Sequence, residues 1–289
     1  MKLTLALGAA LLTLAGCATQ GPRIDTRYAS VNHDSRVRYV ILHFTQLDFE
    51  RSLEVLSRGR VSSHYLVSLD PVRSYRLVNE QRRAWHAGQS YWRGDTALNS
   101  SSIGIEIVNL GPDGEPGVPF MPFPEAQIDE VIRLVRDIAR RHAIAPHRIL
   151  GHSDIAPQRK VDPGPQFPWR RLFEAGLVPW PNETRVAEQR ALFERTLPDV
   201  AWFQQQLAEY GFEVAGHGQL DEATRRVLAN FQAKYRPSRY DGEPDAETAA
   251  LLVTLNQPDG RVMRKADGSL EPYLVMPYRP TPPTPITLR

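Results

Sequence analysis

The sequence predicts an α/β or α+β domain, a central mixed sheet flanked by helices, followed by a small three-helix domain. Three observations carry this expectation. Short apolar runs of strand type alternate with one long amphipathic helix across residues 35–180. Strand signals then fade beyond a proline-bracketed linker at Pro179–Pro181. Helical spacing and a repeated loop-to-helix pattern occupy 185–256, ahead of a proline-rich tail at 257–289 that is expected to be unfolded. A chain of 289 residues suits one domain of moderate size plus a smaller one.

Taken in order, RYVILHF has four apolar residues, Tyr39 to Leu42, running into His43, as in a buried strand that ends at a functional edge. HYLVSLD (64–70) and SYRLVNE (74–80) flank Asp70-Pro71 and predict a hairpin. SIGIEIVNLG (102–111) predicts a strand with Ile103, Ile105 and Ile107 on one side and Glu106 on the other. Gly104 inside it permits close approach of a neighbour. From Pro124 to His142, Ile128, Val131, Ile132, Val135, Ile138 and Ala139 recur at spacings of three and four, which predicts an amphipathic helix. HRILGH (147–152) is a short strand ending at His152. Further on, VAWFQQQLAEYGF (200–212) has helical spacing. A repeat follows: Gly218, Asp221, Thr224 and Leu228 keep the offsets of Gly242, Asp245, Thr248 and Leu252. In each copy Gly turns the chain, Asp caps a helix and Leu faces its buried side.

The composition narrows the function. A formal charge of +2 with 24% charged residues contains no basic block of the kind nucleic-acid binding requires. Past the first residues no apolar run is long enough to cross a bilayer. Residues 1–16 have a positive charge at Lys2 and a short apolar run from Leu3 to Leu14, as in a secretory signal. Leu14-Ala15-Gly16-Cys17 resembles the lipobox of bacterial lipoproteins, and the alternative is an ordinary signal peptide with an incidental cysteine. The resemblance implies acylation of Cys17, the single cysteine of the chain, and a polar tether at 17–34. With Ala18 next, it also implies an outer-membrane anchor facing the periplasm. A lone cysteine supports neither an internal disulfide nor a thiolate metal site.

Among eight histidines, His43 and His152 stand out because each directly follows an apolar strand, where ligands of sheet-based folds gather. Two imidazoles supply two zinc positions, and a catalytic site needs a third ligand. Asp162 and Asp154 are the candidates. Asp162 is preferred because Pro163 biases it toward extended geometry. His64 reads as a buried, hydrogen-bonded residue and His142 as a structural cation at a helix end. His86 is either a pocket or a loop residue.

YVILHFT, SSHYLVSLD, RRAWHAG, SIGIEIVN and GHSDIAPQRKVDPG occur in an order that resembles the zinc-dependent N-acetylmuramoyl-L-alanine amidases related to peptidoglycan recognition proteins. The lipobox and the added helices favour an AmiD-like lipoprotein branch. The resemblance covers roughly residues 35–180. It implies zinc held by His43, His152 and Asp162, Glu106 as catalytic acid and base, and Lys160 as the cation that meets the oxyanion. His86 and Asn109, inside two of the motifs, are expected to contact substrate. Peptidoglycan and its muropeptides would be the partners, with the membrane reached through the lipid. Recognition proteins often use Cys as third ligand, and this chain has Asp. Residues 200–256 resemble half of a three-helix peptidoglycan-binding domain whose signature continues as Ala229-Asn230-Phe231-Gln232. A non-catalytic wall-recognition module and a glycosidase with paired carboxylates remain as rival classes.

Overall fold

A computed structural model describes residues 22, 24–112, 120–276 and 278, so Cys17 and the signal segment lie outside the described residues. Two units are resolved, Met1–Asp34 and Ser35–Arg289. In the first, residues 24–34 contain no helix or strand.

The second unit begins with β1 (Tyr39–Phe44), α1 (Phe49–Arg58), β2 (Tyr65–Val67) and β3 (Ser74–Arg76). A single turn α2 (Leu98–Ser101) leads into β4 (Ser102–Ile107), then α3 (Glu125–His142), β5 (Ile149–Gly151) and the short helices α4 (His152–Ile155) and α5 (Trp169–Glu174). After β6 (Trp180–Pro181) come α6 (Glu183–Phe193), α7 (Val200–Tyr210), α8 (Glu222–Tyr235) and α9 (Ala246–Asn256), then β7 (Arg261–Arg264) and β8 (Leu270–Pro272). The first five strands form one mixed sheet in the order β3-β2-β4-β1-β5. β1 runs parallel to both β4 and β5, and β2 and β3 make the expected antiparallel hairpin.

Alternation along the strands sends side chains to two separate cores. Val40, Leu42, Ile103, Ile105 and Ile107 pack with Ile128, Val131, Val135 and Ile138 of α3. Tyr39, Ile41 and Leu150 lie on the other face and share a core with Phe203 and Leu207 of α7, Phe231 of α8 and Leu252 of α9. The helical segment is therefore half of the sheet's covering, built into the same compact unit. Each fully buried aliphatic side chain contributes roughly 1.5–3 kcal/mol.

The helices form where the sequence supplies caps. Asp48, Asn182, Asp199, Asp221 and Asp245 each accept the backbone N–H three residues on, at the starts of α1, α6, α7, α8 and α9. The sequence repeat is also a repeat of geometry. Gln204 accepts from Gly218 N and donates to Gln219 O and the Thr224 hydroxyl. Gln232 does the same with Gly242 N, Glu243 O and the Thr248 hydroxyl. Gly218 and Gly242 take φ of +76° and +75°, and a Cβ on Gly242 would meet Arg225 O at 2.5 Å.

Two expectations need correcting. The segment after 257 is not an unfolded tail throughout: β7 and β8 pair with each other, and β7 pairs with Trp180–Pro181. The proline-bracketed linker is thus the edge strand of a second, three-stranded sheet. Residues 277 and 279–289 lie outside the described residues. The three expected helices are α7, α8 and α9, and α6 precedes them as a fourth. Among the described residues no helix is long and apolar enough to cross a membrane.

Candidate active site

His43 is the penultimate residue of β1, and register places it opposite Glu106 on β4, so both side chains leave the same face of the sheet. His152 follows β5 on the other side of β1 and opens α4. Asp162 sits on the return of the loop that leaves α4, and Ser153 N donates to Asp162 O at 2.8 Å, closing that loop. All gather at the carboxyl ends of parallel strands, where open α/β sheets present ligand sites.

His43, His152 and Asp162 are buried, and each offers one donor atom to a common point. Nδ1 of His43 lies 3.0 Å from Nδ1 of His152 and 3.0 Å from Oδ2 of Asp162, and the remaining separation is 3.1 Å. Zinc–nitrogen bonds of 2.0–2.1 Å in tetrahedral geometry require donor separations of about 3.3 Å, so a small contraction of a zinc ligand set describes this trio.

The other ring nitrogens decide which atoms are free to bind a metal. The Ser102 hydroxyl donates to Leu98 O, so Ser102 accepts from Nε2 of His86 at 3.1 Å. His86 Nδ1 must then accept from Nε2 of His43 at 3.0 Å, which leaves the lone pair of His43 on Nδ1. His152 Nε2 donates to Ala87 O at 3.1 Å, with the same result. Outer partners of this kind orient metal-binding histidines. Gly104 makes the arrangement possible, because a Cβ there would lie 2.4 Å from the His86 ring.

Electrostatics agree with a site prepared for a cation. Burial, then the neighbouring His152, pushes His43 down to about 4, keeping the imidazole neutral. Burial and His43 hold His86 well below the ordinary histidine value. Burial alone would raise Asp162, yet His152 and His43 overcome it and keep the carboxyl ionised below the usual range. Glu106 is raised well above the ordinary glutamate value by burial and by the Asp162 charge, with Lys160 opposing.

These groups line a cleft of about 180 Å³. Glu106 and Lys160 face it beside the donor trio, while Val55 and Leu56 of α1, Val61 and the half-exposed Trp85 give it an apolar wall. The segment 160–162 is not a strand, so Lys160 and Asp162 converge through turns and not through strand alternation.

The surroundings of three further candidates are specific. Asp154 is no part of the trio: its Oδ2 accepts from Gly151 N and from the ammonium of Lys234. His86 lines the cleft, but both ring nitrogens are committed to His43 and Ser102, which makes it a support for His43 more than a substrate contact. Asn109 lies outside the cleft lining: its amide donates to Met121 O, and its oxygen accepts from Gly111 N. Ser102 and the α1 wall went unrecognised in the sequence. The small residues Ser102 and Gly104 on the Glu106 side of SIGIEI were the available signal. His64 is buried, bonded to Gly104 N and Arg82 O, and His142 pairs with Glu80, both as expected.

Residues 33–165 match the family of N-acetylmuramoyl-L-alanine amidases, and residues 196–252 match a putative peptidoglycan binding domain. The chain is 43% identical over 270 residues to N-acetylmuramoyl-L-alanine amidase AmiD of Escherichia coli, covering 88% of this chain and 98% of that protein. Among solved structures, AmpDh3 of Pseudomonas aeruginosa superposes with a TM-score of 0.76 at 38% identity, covering 82% of this chain and 98% of that one. E. coli AmiD in complex with the substrate anhydro-N-acetylmuramic acid-L-Ala-D-γ-Glu-L-Lys gives a TM-score of 0.73 at 41% identity, covering 81% and 94%. With a relative this similar along nearly its whole length, and a His-His-Asp trio where the family motifs fall, the chain belongs to the N-acetylmuramoyl-L-alanine amidase family.

Proposed function

We propose that His43, His152 and Asp162 hold one zinc ion, and that Glu106 and Lys160 carry the hydrolysis of the amide between N-acetylmuramic acid and L-alanine in peptidoglycan and its muropeptides. Stem peptides are the product. The observation that supports this best is the donor trio with its free lone pairs aimed at one point, facing Glu106 and Lys160 across a single cleft. Zinc in such a site supplies a Lewis acid and makes water acidic enough to ionise near pH 7.

The chain's own residues do the rest. Asp162 brings the one carboxylate of the trio, and the two neutral imidazoles bind without giving up a proton. Glu106 orients the attacking water, takes its proton and delivers it to the alanine nitrogen as the C–N bond breaks. Lys160 opposes the raised pKa of Glu106 and so favours the ionised form that takes this proton. Lys160 sets its ammonium where negative charge develops on the lactyl carbonyl oxygen, an interaction strongest in the transition state. Val61 and Trp85 give the glycan and lactyl portions an apolar surface.

The glycosidase alternative requires two carboxylates free to act on a sugar. Asp162 is instead gathered with Nδ1 of both histidines around one point, which favours the amidase. The helical segment 196–252 is proposed to hold the wall polymer, and acylated Cys17 to anchor the chain at the outer membrane facing the periplasm. The test is digestion of muropeptides with and without chelator, read by mass spectrometry. Chelation abolishes turnover, zinc restores it, and each cleavage frees one alanine amine. New reducing sugar ends, or turnover indifferent to chelator, would refute the reading.

A further inference from the structure

Helix α8 carries a polar stripe that runs from the exposed Arg226 to the buried Asn230 and Lys234 and is turned toward another part of the chain. Arg226, Asn230 and Lys234 recur every four residues and so share one side of the helix, while Val227, Leu228 and Phe231 enter the core. All three polar residues reach the same piece of chain, the loop between His152 and Asp162. The Asn230 amide donates to Pro157 O and to Lys160 O, both at 3.2 Å. Arg226 donates to Gln158 O at 2.9 Å, and the Gln158 amide returns a bond to Ala223 O at 3.0 Å. Lys234 pairs with Asp154 at 2.6 Å, and both side chains are almost wholly buried. Asp154 in turn holds Gly151 N, immediately before His152.

Arg159 ties the loop to Ala87 O and Gln89 O on one side, and α8 holds it on the other. Between α4 and α5 it forms turns only, and the carbonyls of Pro157, Gln158 and Lys160 find their partners on α8. Lys160 N is bonded to Ala156 O, so the backbone of Lys160 is held on its N–H side by the loop and on its carbonyl side by Asn230. Asn230 is itself buried at 9% exposure, which argues against a role in gripping the wall polymer directly.

We infer that Asn230, on the helical segment that resembles a wall-binding module, is a positioning residue for Lys160: it clamps the loop carbonyls so that the ammonium points into the cleft. The inference rests on the role proposed above for Lys160. It means that the module is a working part of the catalytic cleft as well as a candidate wall contact, and that disturbing α8 acts on the reaction.

The test is a double-mutant cycle in the full chain with a soluble muropeptide as substrate, so that wall binding does not enter the readout. Lys160→Ala lowers kcat about 100-fold. Asn230→Ala lowers kcat about 10-fold through misplacement of the ammonium, with KM and bound zinc unchanged. In the Lys160→Ala background, Asn230→Ala adds nothing further. Arg226→Ala, on the exposed flank of the same stripe, shows the same dependence on Lys160 with a smaller loss, and it keeps the test alive where Asn230→Ala fails to fold. A loss of equal size in both backgrounds, an unchanged kcat, or loss of zinc would overturn the clamp alone. Full activity of Lys160→Ala would overturn the role of Lys160 and the clamp with it.

Discussion

The two faces of β1 and β4 are made from the same strands and do opposite work. On one, Val40, Leu42, Ile103, Ile105 and Ile107 close against α3 with no polar atom among their side chains. On the other, Ser102, Gly104 and Glu106 alternate with them and face His43 and His86. The first face is apolar along both strands, whereas the second combines Tyr39 and Ile41, packed against the helical segment, with buried polar groups that pair correctly in only one arrangement. A one-residue slip of β4 would exchange the two sets and destroy both.

Adjacent residues on β4 should respond in opposite ways to substitution. Glu106→Gln is expected to lower kcat by about 10²–10⁴-fold while the melting temperature stays close to that of the parent. Its neighbour Ile105→Ala is expected to cost about 2–5 kcal/mol of stability in denaturant titration, with kcat per folded molecule retained. If Glu106→Gln unfolds, or Ile105→Ala inactivates folded protein, the faces are not divided in this way. A smaller effect is expected from Ser102→Ala, which removes the last member of the chain running from His43 through His86. Zinc affinity measured by chelator competition should fall about 10–100-fold, the usual cost of losing an outer partner.

Charges remote from the cleft should act on stability alone. Glu80 is bonded to Arg141, Tyr65 and His142, and chiefly the Arg141 pairing lowers its pKa from 4.5 to about 2. The folded state therefore binds its proton less readily than the unfolded chain. The stabilisation is complete above about pH 4.5 and is lost as pH falls toward about 2. Acid unfolding of Glu80→Gln should lack this part of the slope, with kcat near neutrality unchanged. A parallel shift of the activity profile would contradict the separation.

The legible parts of the chain were those with a local period. The alternation in SIGIEI and the spacing in α3 announce themselves, and Asp221 and Asp245 mark the starts of α8 and α9. Helix α1 escaped because it packs only Phe49, Leu53 and Leu56 into a small core, although Asp48 caps it. Helix α6 has no buried residue and hence no stripe to read. β7 was hidden for another reason: its partner Trp180–Pro181 lies about 80 residues earlier, and pairing at that distance leaves no mark on local composition. In the site, the placement of His43, His152 and Asp162 together, with Glu106 facing the same cleft, was legible from strand ends and motif order. The roles of His86 and Asn109 were not, because they depend on which neighbours satisfy each nitrogen and oxygen. Asp154 illustrates the same point, since nothing near it in sequence reveals that Lys234 is its partner.

The geometry of His43, His152 and Asp162 calls for one metal shared by all three. Metal content per chain, measured on purified parent, Asp162→Ala and Asp154→Asn proteins, tests it most directly. One zinc is expected in the parent and in Asp154→Asn, and essentially none in Asp162→Ala. Equal zinc in the two variants, or its loss from Asp154→Asn alone, would contradict it.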